Sequence, residues 1–310
     1  MSTFIASEVY LMKQKDSELL QHRLMLHIAV VLFGFTAILG KQISIDAIPL
    51  VFWRMVLSLA LILGLRSMAR ISFGHLDKKQ KLIFLGIGLL IGIHWFCFYA
   101  SVKMAHVSVA LICMALTPMF TSLIEPIINK SRIDRADILF SLFTVPLVYL
   151  LIGGIIGFNI AGFIMGILAA FFASIFSIMN KKFVGVTDNN TLMVYEFSGV
   201  LLISTCVMYI FYGPHDLADW FPYRISDWIY LLLLSWICTN VAFKLTVQAM
   251  KKISVFETNL IIGLEPLYGI LLAVFFFKEH QYFTLQFYVA ALLILALVLI
   301  YPLKRQNRNV

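Results

Sequence analysis

The sequence has few charged residues. Only 13% of its 310 residues are Asp, Glu, Lys or Arg, whereas 61% are apolar. Ordinary soluble domains are roughly 45–50% apolar and about 25% charged. The longest polar stretch, residues 1–26, is too short to form a soluble domain. These absences indicate an all-α integral membrane protein, whose surroundings are the lipid bilayer rather than water.

The sequence also lacks the motifs of ATP-driven and hydrolytic machinery. It contains no Gly-x-x-x-x-Gly-Lys-Ser/Thr loop, no His-Glu-x-x-His and no Gly-x-Ser-x-Gly. Its four cysteines lie apart in apolar runs and form no Cys-x-x-Cys pair. We therefore expect no cofactor, no metal and no catalytic residues, and a carrier is favoured over an enzyme.

Ten apolar windows are long enough to cross a membrane, for which roughly 17–25 residues are needed. They lie at about 27–45, 48–65, 82–102, 106–128, 138–156, 161–180, 191–212, 228–248, 253–277 and 282–302.

The lysines and arginines predict how these spans are oriented. If both termini are cytoplasmic, 18 of the 24 Lys and Arg residues fall in inner segments and only four in outer ones. This asymmetry follows the positive-inside rule. The net charge of +8 is then explained by topology and by attraction to anionic lipid, so no nucleic-acid partner is expected. The expected location is a plasma membrane, the bacterial inner membrane.

A weak internal repeat relates the two halves of the chain. At an offset of 148 residues, the segment 101–118 aligns with 249–266, so that Lys103 matches Lys251 and Pro118 matches Pro266. With five spans in each half, the second copy enters the membrane from the opposite side. Two inverted five-helix repeats are typical of transporters that work by alternating access.

Three stretches resemble the repeated signature of the drug/metabolite transporter superfamily, and most closely its ten-helix, EamA-like branch. They are "GFTAILGKQIS", "ASVKMAHVSVALICMALTPMFTSLIEP" and "AMKKISVFETNLIIGLEPLYGILLAVFFFKE". The resemblance implies a cytoplasmic tail over 1–26, repeats over 27–157 and 158–303, and a second cytoplasmic tail over 304–310. The first half departs from the signature at Thr117 and Ser131, where the second half has Glu265 and Glu279. A secondary transporter of small metabolites is implied.

Glu265 is the strongest candidate for a functional residue. It lies in the middle of an apolar run, directly before Pro266. A charge at membrane depth costs about 2.5–3.5 kcal/mol even on a lenient scale, so such a residue is expected to face a wet cavity. We expect Glu265 to line a central cavity and to carry a proton that couples transport to the proton gradient. The alternative is a buried ion pair, or a hydrogen bond to backbone freed by Pro266.

Other polar residues inside the spans are further candidates. Those expected to line the cavity are Thr117, Thr121, Asn240, Lys244, Gln248, Ser177, Asn259, His94 and Tyr99. For His94, packing and proton transfer both stay open. Those expected to have a gating or structural role are Arg54, Glu196, Pro118 and Pro266, with Arg54 and Glu196 as a possible ion pair.

The sequence thus predicts a secondary active transporter that exports or exchanges amino acids or related small metabolites. A flippase for lipids or lipid-linked solutes is the nearest alternative, and an intramembrane enzyme is more distant. The expected assembly is a monomer or a homodimer.

Overall fold

The computed structural model describes residues 2–69, 74–130, 135–157, 159–213 and 220–306. Within these ranges the chain is helical and has no strand, only an isolated bridge between Ile155 and Phe283. The helices, three of which are interrupted, are α1 (Ser2–Gln42), α2 (Ala47–Ala69), α3 (Lys78–Met104), α4 (Val107–Asn129), α5 (Arg135–Gly153), α6 (Ile160–Phe183), α7 (Asn189–Tyr212), α8 (Ile225–Met250), α9 (Val255–Phe277) and α10 (Leu285–Gln306).

Eight of these helices are long and apolar enough to cross a membrane. Over the described residues, α5 and α10 contribute only shorter apolar segments, Leu142–Gly153 and Leu285–Ile294. The fold is therefore that of an all-α membrane protein, and a count of ten spans additionally requires α5 and α10 to cross. Helix α1 already begins at Ser2, so the predicted tail and the first span form one helix whose apolar part is Ser17–Gln42.

Contacts between the connections sort them into two ends of the bundle. The backbone N–H of Gly74, in the α2–α3 connection, donates to Asp188 before α7 at 2.8 Å. At the opposite end the N–H of Thr284, before α10, donates to the carbonyl of Gly154, after α5, at 2.9 Å. We call these the predicted inner end and the predicted outer end, because the positive-inside rule assigns the α2–α3 connection to the cytoplasm.

Helices α4 and α9 are broken at equivalent places. Helix α4 consists of Val107–Met114 and Thr117–Asn129, and α9 consists of Val255–Ile262 and Glu265–Phe277. All four boundaries are related by the 148-residue offset. Both helices also end on a lysine with left-handed backbone, Lys130 at φ 51° and Lys278 at φ 53°. The repeat that is weak in sequence is therefore clear in the backbone.

Proline explains where these breaks fall. Pro118 and Pro266 each occupy the second position of the later segment. Proline has no N–H to donate to the carbonyl four residues earlier, here that of Met114 or Ile262, and each of these is the last residue of the earlier segment. The proline is tolerated because an N–H in the first turn of a helix has no partner within the helix.

Glycines bring the backbones of α3 and α7 into direct contact. A Cβ atom on Gly88 would lie 2.0 Å from the carbonyl oxygen of Glu196, and one on Gly199 would lie 2.2 Å from that of Leu85. Small residues at an interface permit such close packing in membranes. Because α3 and α7 belong to different halves of the chain, this contact joins the two repeats.

Replacing Gly88 by alanine should therefore destabilise the protein by about 1–3 kcal/mol, the usual cost of forcing extra atoms into a packed interface. Thermal unfolding of the purified protein in detergent would show a lower Tm. Gly86→Ala is the matched control, because a Cβ at Gly86 meets nothing within 4 Å and alanine is the better helix former. Equal Tm values for the two variants would contradict the assigned contact.

Candidate functional site

A cavity lies between the two halves of the bundle, beside the breaks in α4 and α9. About 760 Å³ free of protein atoms lies in it and at its mouth, a volume that includes open solvent. Much of its wall is aromatic, from Phe33, Trp95, Phe98, Phe176 and Phe243. An apolar wall with a few polar groups is the usual form of a small-molecule site.

The cavity extends toward the predicted inner end. Its wall includes Asn180, three residues before α6 ends, and Met250, the last residue of α8. In the other direction its wall ends at residues such as Thr36, Arg54 and Phe98, each six or seven residues short of the outer end of its helix. The space is therefore placed off-centre, closer to the inner end.

Glu265 lies on the cavity wall as the first residue of the second segment of α9. Its residue surface is 5% exposed. Among the residues that the structure describes, none forms a hydrogen bond or an ion pair with its carboxyl group. Thr117, its equivalent in α4, also lines the cavity, and its hydroxyl has no partner in the same ranges. The two repeat-related positions therefore both offer polar groups to a solute.

Arg54 is fixed in α2 by three contacts. Its Nε donates to the Thr239 hydroxyl at 2.6 Å, and its Nη1 donates to the Tyr99 hydroxyl at 2.7 Å. The guanidinium also lies 4.1 Å from the ring centroid of Trp95, a cation–π distance. Arg54 is 2% exposed and lines the cavity. No carboxylate of the described chain comes within 4.0 Å of it, so its positive charge is not neutralised by a direct ion pair.

His94 is held in place by a hydrogen bond that its ring donates to the backbone. Its Nδ1 lies 2.7 Å from the carbonyl oxygen of Ala169. A carbonyl only accepts, so Nδ1 carries the hydrogen and, in the neutral ring, Nε2 has a free lone pair. The residue lies on the cavity wall. A solute with a donor group can therefore be bound there.

Asn259 is positioned by Thr121. The Asn259 Nδ2 donates to the Thr121 hydroxyl at 2.8 Å, and that hydroxyl lies 3.1 Å from the Ser174 hydroxyl. The Asn259 Oδ1 has no partner in the described part of the chain, and Asn259 lines the cavity. Thr121 is fully buried behind Asn259, so it holds Asn259 in position and does not itself line the cavity.

The predicted polar stripe on α8 lies elsewhere. Asn240 donates to the carbonyl of Ser58 at 3.2 Å, Gln248 accepts from Asn189 at 3.0 Å, and Lys244 is exposed on the outside of the bundle. None of the three is on the cavity wall.

A π-helical turn accounts for this difference. Residues Trp236–Val241 form the turn, inside which the Thr239 hydroxyl donates to the carbonyl of Leu234, five residues earlier, at 2.7 Å. One extra residue in a turn rotates the following helix face by about 100°. The face that reaches the cavity consequently carries Phe243 and Val247.

The remaining predicted residues are distributed as follows. Ser177 lines the cavity, whereas Tyr99 is buried behind Arg54 and holds it. Glu196 does not contact Arg54: its one hydrogen bond in the described chain comes from Asn180, at 3.5 Å. Asn180 lines the cavity, and sequence reasoning missed it. Asn180 lies three residues after Ser177 and therefore on the same helix face, so this spacing could have predicted that it lines the cavity.

Two buried carboxylates join the two halves at the predicted outer end. Glu279 is 4% exposed, and its oxygens accept from the backbone N–H of Val107 at 2.9 Å and from the N–H and hydroxyl of Ser108 at 3.1 and 2.6 Å. Asp227 is fully buried and accepts from the N–H of Ser44 at 3.1 Å and from its hydroxyl. Each contact joins segments from different halves. Ser131, the counterpart of Glu279, lies outside the described residues.

At the predicted inner end an aspartate joins two connections. Burial acts to raise the pKa of Asp188, but hydrogen bonds from the side chain and backbone of Thr191 and from the Gly74 N–H outweigh it, so the pKa is lower than usual. Asp188 is therefore ionised at neutral pH. An ion pair between Arg23 of α1 and Glu257 of α9, at 2.8 Å, lies at the same end and is partly exposed.

Comparison with known proteins gives two results and one absence. The model of the EamA-like transporter family matches the chain twice, over residues 23–153 and 160–301. One protein of known crystal structure matches with a TM-score of 0.68 at 18% identity, over 93% of this chain and 99% of its own, which shows a shared fold. No curated protein matches the chain.

The contact between Glu279 and α4 yields a test of how the outer end is closed. Glu279→Ala removes a charged acceptor from two buried N–H groups, at a cost of about 1.5–3 kcal/mol per bond to a charged group. A cysteine placed at Phe98 should then react several-fold faster with an impermeant maleimide from the outside of the membrane.

His280→Ala is the control for this experiment, since His280 is the next residue and is exposed. Labelling that rises equally in both variants would contradict a closing role for Glu279.

Proposed function

The chain belongs to the EamA-like transporter family, within the drug/metabolite transporter superfamily, and is a membrane transporter of small solutes. On this basis we propose that it exports or exchanges zwitterionic metabolites, such as amino acids, by alternating access. The proposal also includes the ten spans, the two inverted repeats over 27–157 and 158–303, cytoplasmic termini and a location in the bacterial inner membrane.

One observation carries the choice of substrate class. Arg54 and Glu265 line the same cavity without forming an ion pair with each other. An amino acid carries one carboxylate and one ammonium group, so it can neutralise both charges at once. Arg54 suits the carboxylate because a guanidinium binds it through two parallel N–H groups. Glu265 suits the ammonium, with the free Oδ1 of Asn259 as a further acceptor.

The walls of the cavity fit the remainder of such a molecule. Phe33, Phe98, Phe176 and Phe243 supply apolar surface for a side chain. A solute that lacks the carboxylate leaves Arg54 desolvated and unpaired, and one that lacks the ammonium leaves an ionised Glu265 unpaired, which is costly inside a membrane. Recognition of the zwitterion therefore works by excluding solutes with one charge as well as by binding solutes with both.

The direction of transport is proposed from the shape of the cavity. At the outer end Glu279 and Asp227 hold the two halves together, whereas the cavity beside Glu265 extends toward the predicted inner end. A transporter in this state loads its solute from the cytoplasm. The helix breaks before Thr117 and Glu265 are points at which α4 and α9 can bend. Bending there would allow the protein to change from an inward-open to an outward-open state.

Glu265 is also proposed to couple transport to protons. The same carboxyl group can hold a proton or face the ammonium of the substrate, but one excludes the other. Release of the substrate would therefore be accompanied by uptake of a proton at this residue. His94 supplies a neighbouring polar group but has no assigned proton in this scheme.

Mass spectrometry of the growth medium tests this function. Cells that produce the native protein should accumulate one or more amino acids outside, and Glu265→Gln at equal membrane levels should lose this accumulation. Glu18→Gln is the control, because Glu18 is exposed and pairs with Lys252 far from the cavity. Equal export by Glu265→Gln would reduce the Glu-Pro pair to a structural role, and an unchanged medium with every variant would favour import or lipid flipping.

Arg54→Lys tests the assignment of the carboxylate partner. Lysine keeps the charge but loses the two parallel N–H groups and the contact with Trp95. The identified amino acid should bind the purified variant roughly ten- to a hundred-fold more weakly, a loss of about 1.5–3 kcal/mol. Isothermal titration calorimetry would measure this, and the amide of the same amino acid, which lacks the carboxylate, should bind both proteins about equally.

A further inference from the structure

Glu196 is a buried carboxyl group with an incomplete set of hydrogen bonds. It lies in α7, about two turns from the predicted inner end, and none of its surface is exposed. Its Oε2 accepts one long hydrogen bond, 3.5 Å from the Nδ2 of Asn180. Its Oε1 has no partner among the residues that the structure describes.

Asn180 shows the complementary deficiency. It is 2% exposed, and its Oδ1 has no partner in the described ranges either. An amide oxygen accepts hydrogen bonds and cannot donate them. The pair thus contains two oxygens without partners on two side chains that already touch, and buried polar atoms of this kind call for an explanation.

A single proton on Glu196 resolves both deficiencies. An ionised carboxylate would be a charge at membrane depth with one long bond from a neutral amide, which is a costly arrangement. A neutral carboxylic acid removes the charge and gains an O–H donor. That O–H can bind the free Oδ1 of Asn180 while the Nδ2 of the amide binds the acid, as in a cyclic acid–amide pair. We propose that Glu196 and Asn180 form a proton-binding site distinct from Glu265.

Other ionisable groups of the surrounding helices are not available to neutralise Glu196. Within the described residues its only hydrogen-bond or ion-pair partner is Asn180. Several ionisable side chains on the helices packed around it have other contacts: Arg54 with Tyr99 and Thr239, His94 with Ala169, Lys81 with the ring of Tyr195, and Lys181 with Ile253. Two others, Lys182 and Lys244, are exposed.

Asn180 connects this site to the cavity. It lines the cavity wall and is also the hydrogen-bond partner of Glu196. A solute that binds the Asn180 amide competes with Glu196 for it and so changes the proton affinity of the acid. This coupling rests on the proposed transport function, whereas the occupancy of the site by a proton does not.

Infrared spectroscopy tests the occupancy directly. Native protein in lipid nanodiscs at neutral pH should show the carbonyl stretching band of a buried protonated carboxylic acid, with a small shift in deuterated water. Glu196→Gln should remove one such band, and Glu265→Gln should leave that band in place. A Glu196→Gln spectrum that keeps every acid carbonyl band of the native protein would overturn the proposal.

A second variant keeps the test decisive if Glu196→Gln is poorly folded. In Asn180→Leu the acid retains its proton but loses the amide oxygen as its acceptor, so its carbonyl band should move to the higher frequency of a free acid. An unchanged band in this variant would overturn the pairing with Asn180.

Transport separates this inference from the proposed function. In liposomes, exchange of an amino acid by the native protein should be accelerated by a pH gradient, whereas Glu196→Gln should keep the exchange and show a smaller acceleration, the remainder being supplied by Glu265. An acceleration in this variant equal to that of the native protein would overturn the coupling role. If the native protein exchanges no amino acid, the proposed function fails, while the infrared result still decides whether Glu196 holds a proton.

Discussion

A bilayer provides no hydrogen-bond partners, so a polar group inside this bundle needs a partner from the same chain, from a bound solute or from water. At the outer end the structure meets this constraint by contacts between its halves. Glu279 accepts from the start of α4, and Asp227 accepts from the α1–α2 connection. Such buried contacts lose much when broken, because the freed groups find no water. The two halves are therefore firmly joined at this end, and they can separate there only if other partners replace the contacts that are lost.

The same constraint locates the cavity. Pro118 and Pro266 free a carbonyl in each half, and the residues after the breaks bring Thr117 and Glu265 to the same space. Polar groups without a partner in the described chain gather there, and a solute or water can satisfy them. Arg54 differs because most of its environment is preformed by Tyr99 and Trp95. One charge is thus fixed in position before a substrate arrives.

The sequence predicted the part of this architecture that depends on regular patterns. Apolar length indicated the spans, and the offset of 148 residues anticipated the matched breaks in α4 and α9. The structure places Thr117, Glu265 and Asn259, which were predicted from polar residues inside apolar spans, on the wall of one cavity. Lys244 was misplaced because a four-residue spacing assumes a regular helix, and the π-helical turn of α8 has no simple signature in sequence. Arg54 was expected to have a gating or structural role, and its contacts, which come from α3 and α8, could not be derived from the sequence because they depend on tertiary packing.

The contact of Gly88 with the backbone of Glu196 has a mechanical consequence. Where side chains separate two helices, they can change rotamer and so accommodate a shift of one helix. Where the two backbones touch directly, as at Gly88, no side chain is present to accommodate such a shift. Helices α3 and α7 can tilt about this seam, whereas sliding along it would drive carbonyl oxygens into neighbouring Cα atoms. The contact between α3 and α7 is therefore expected to act as the hinge between the two halves. Displacements of the helices should be smallest at this contact and should increase with distance from it.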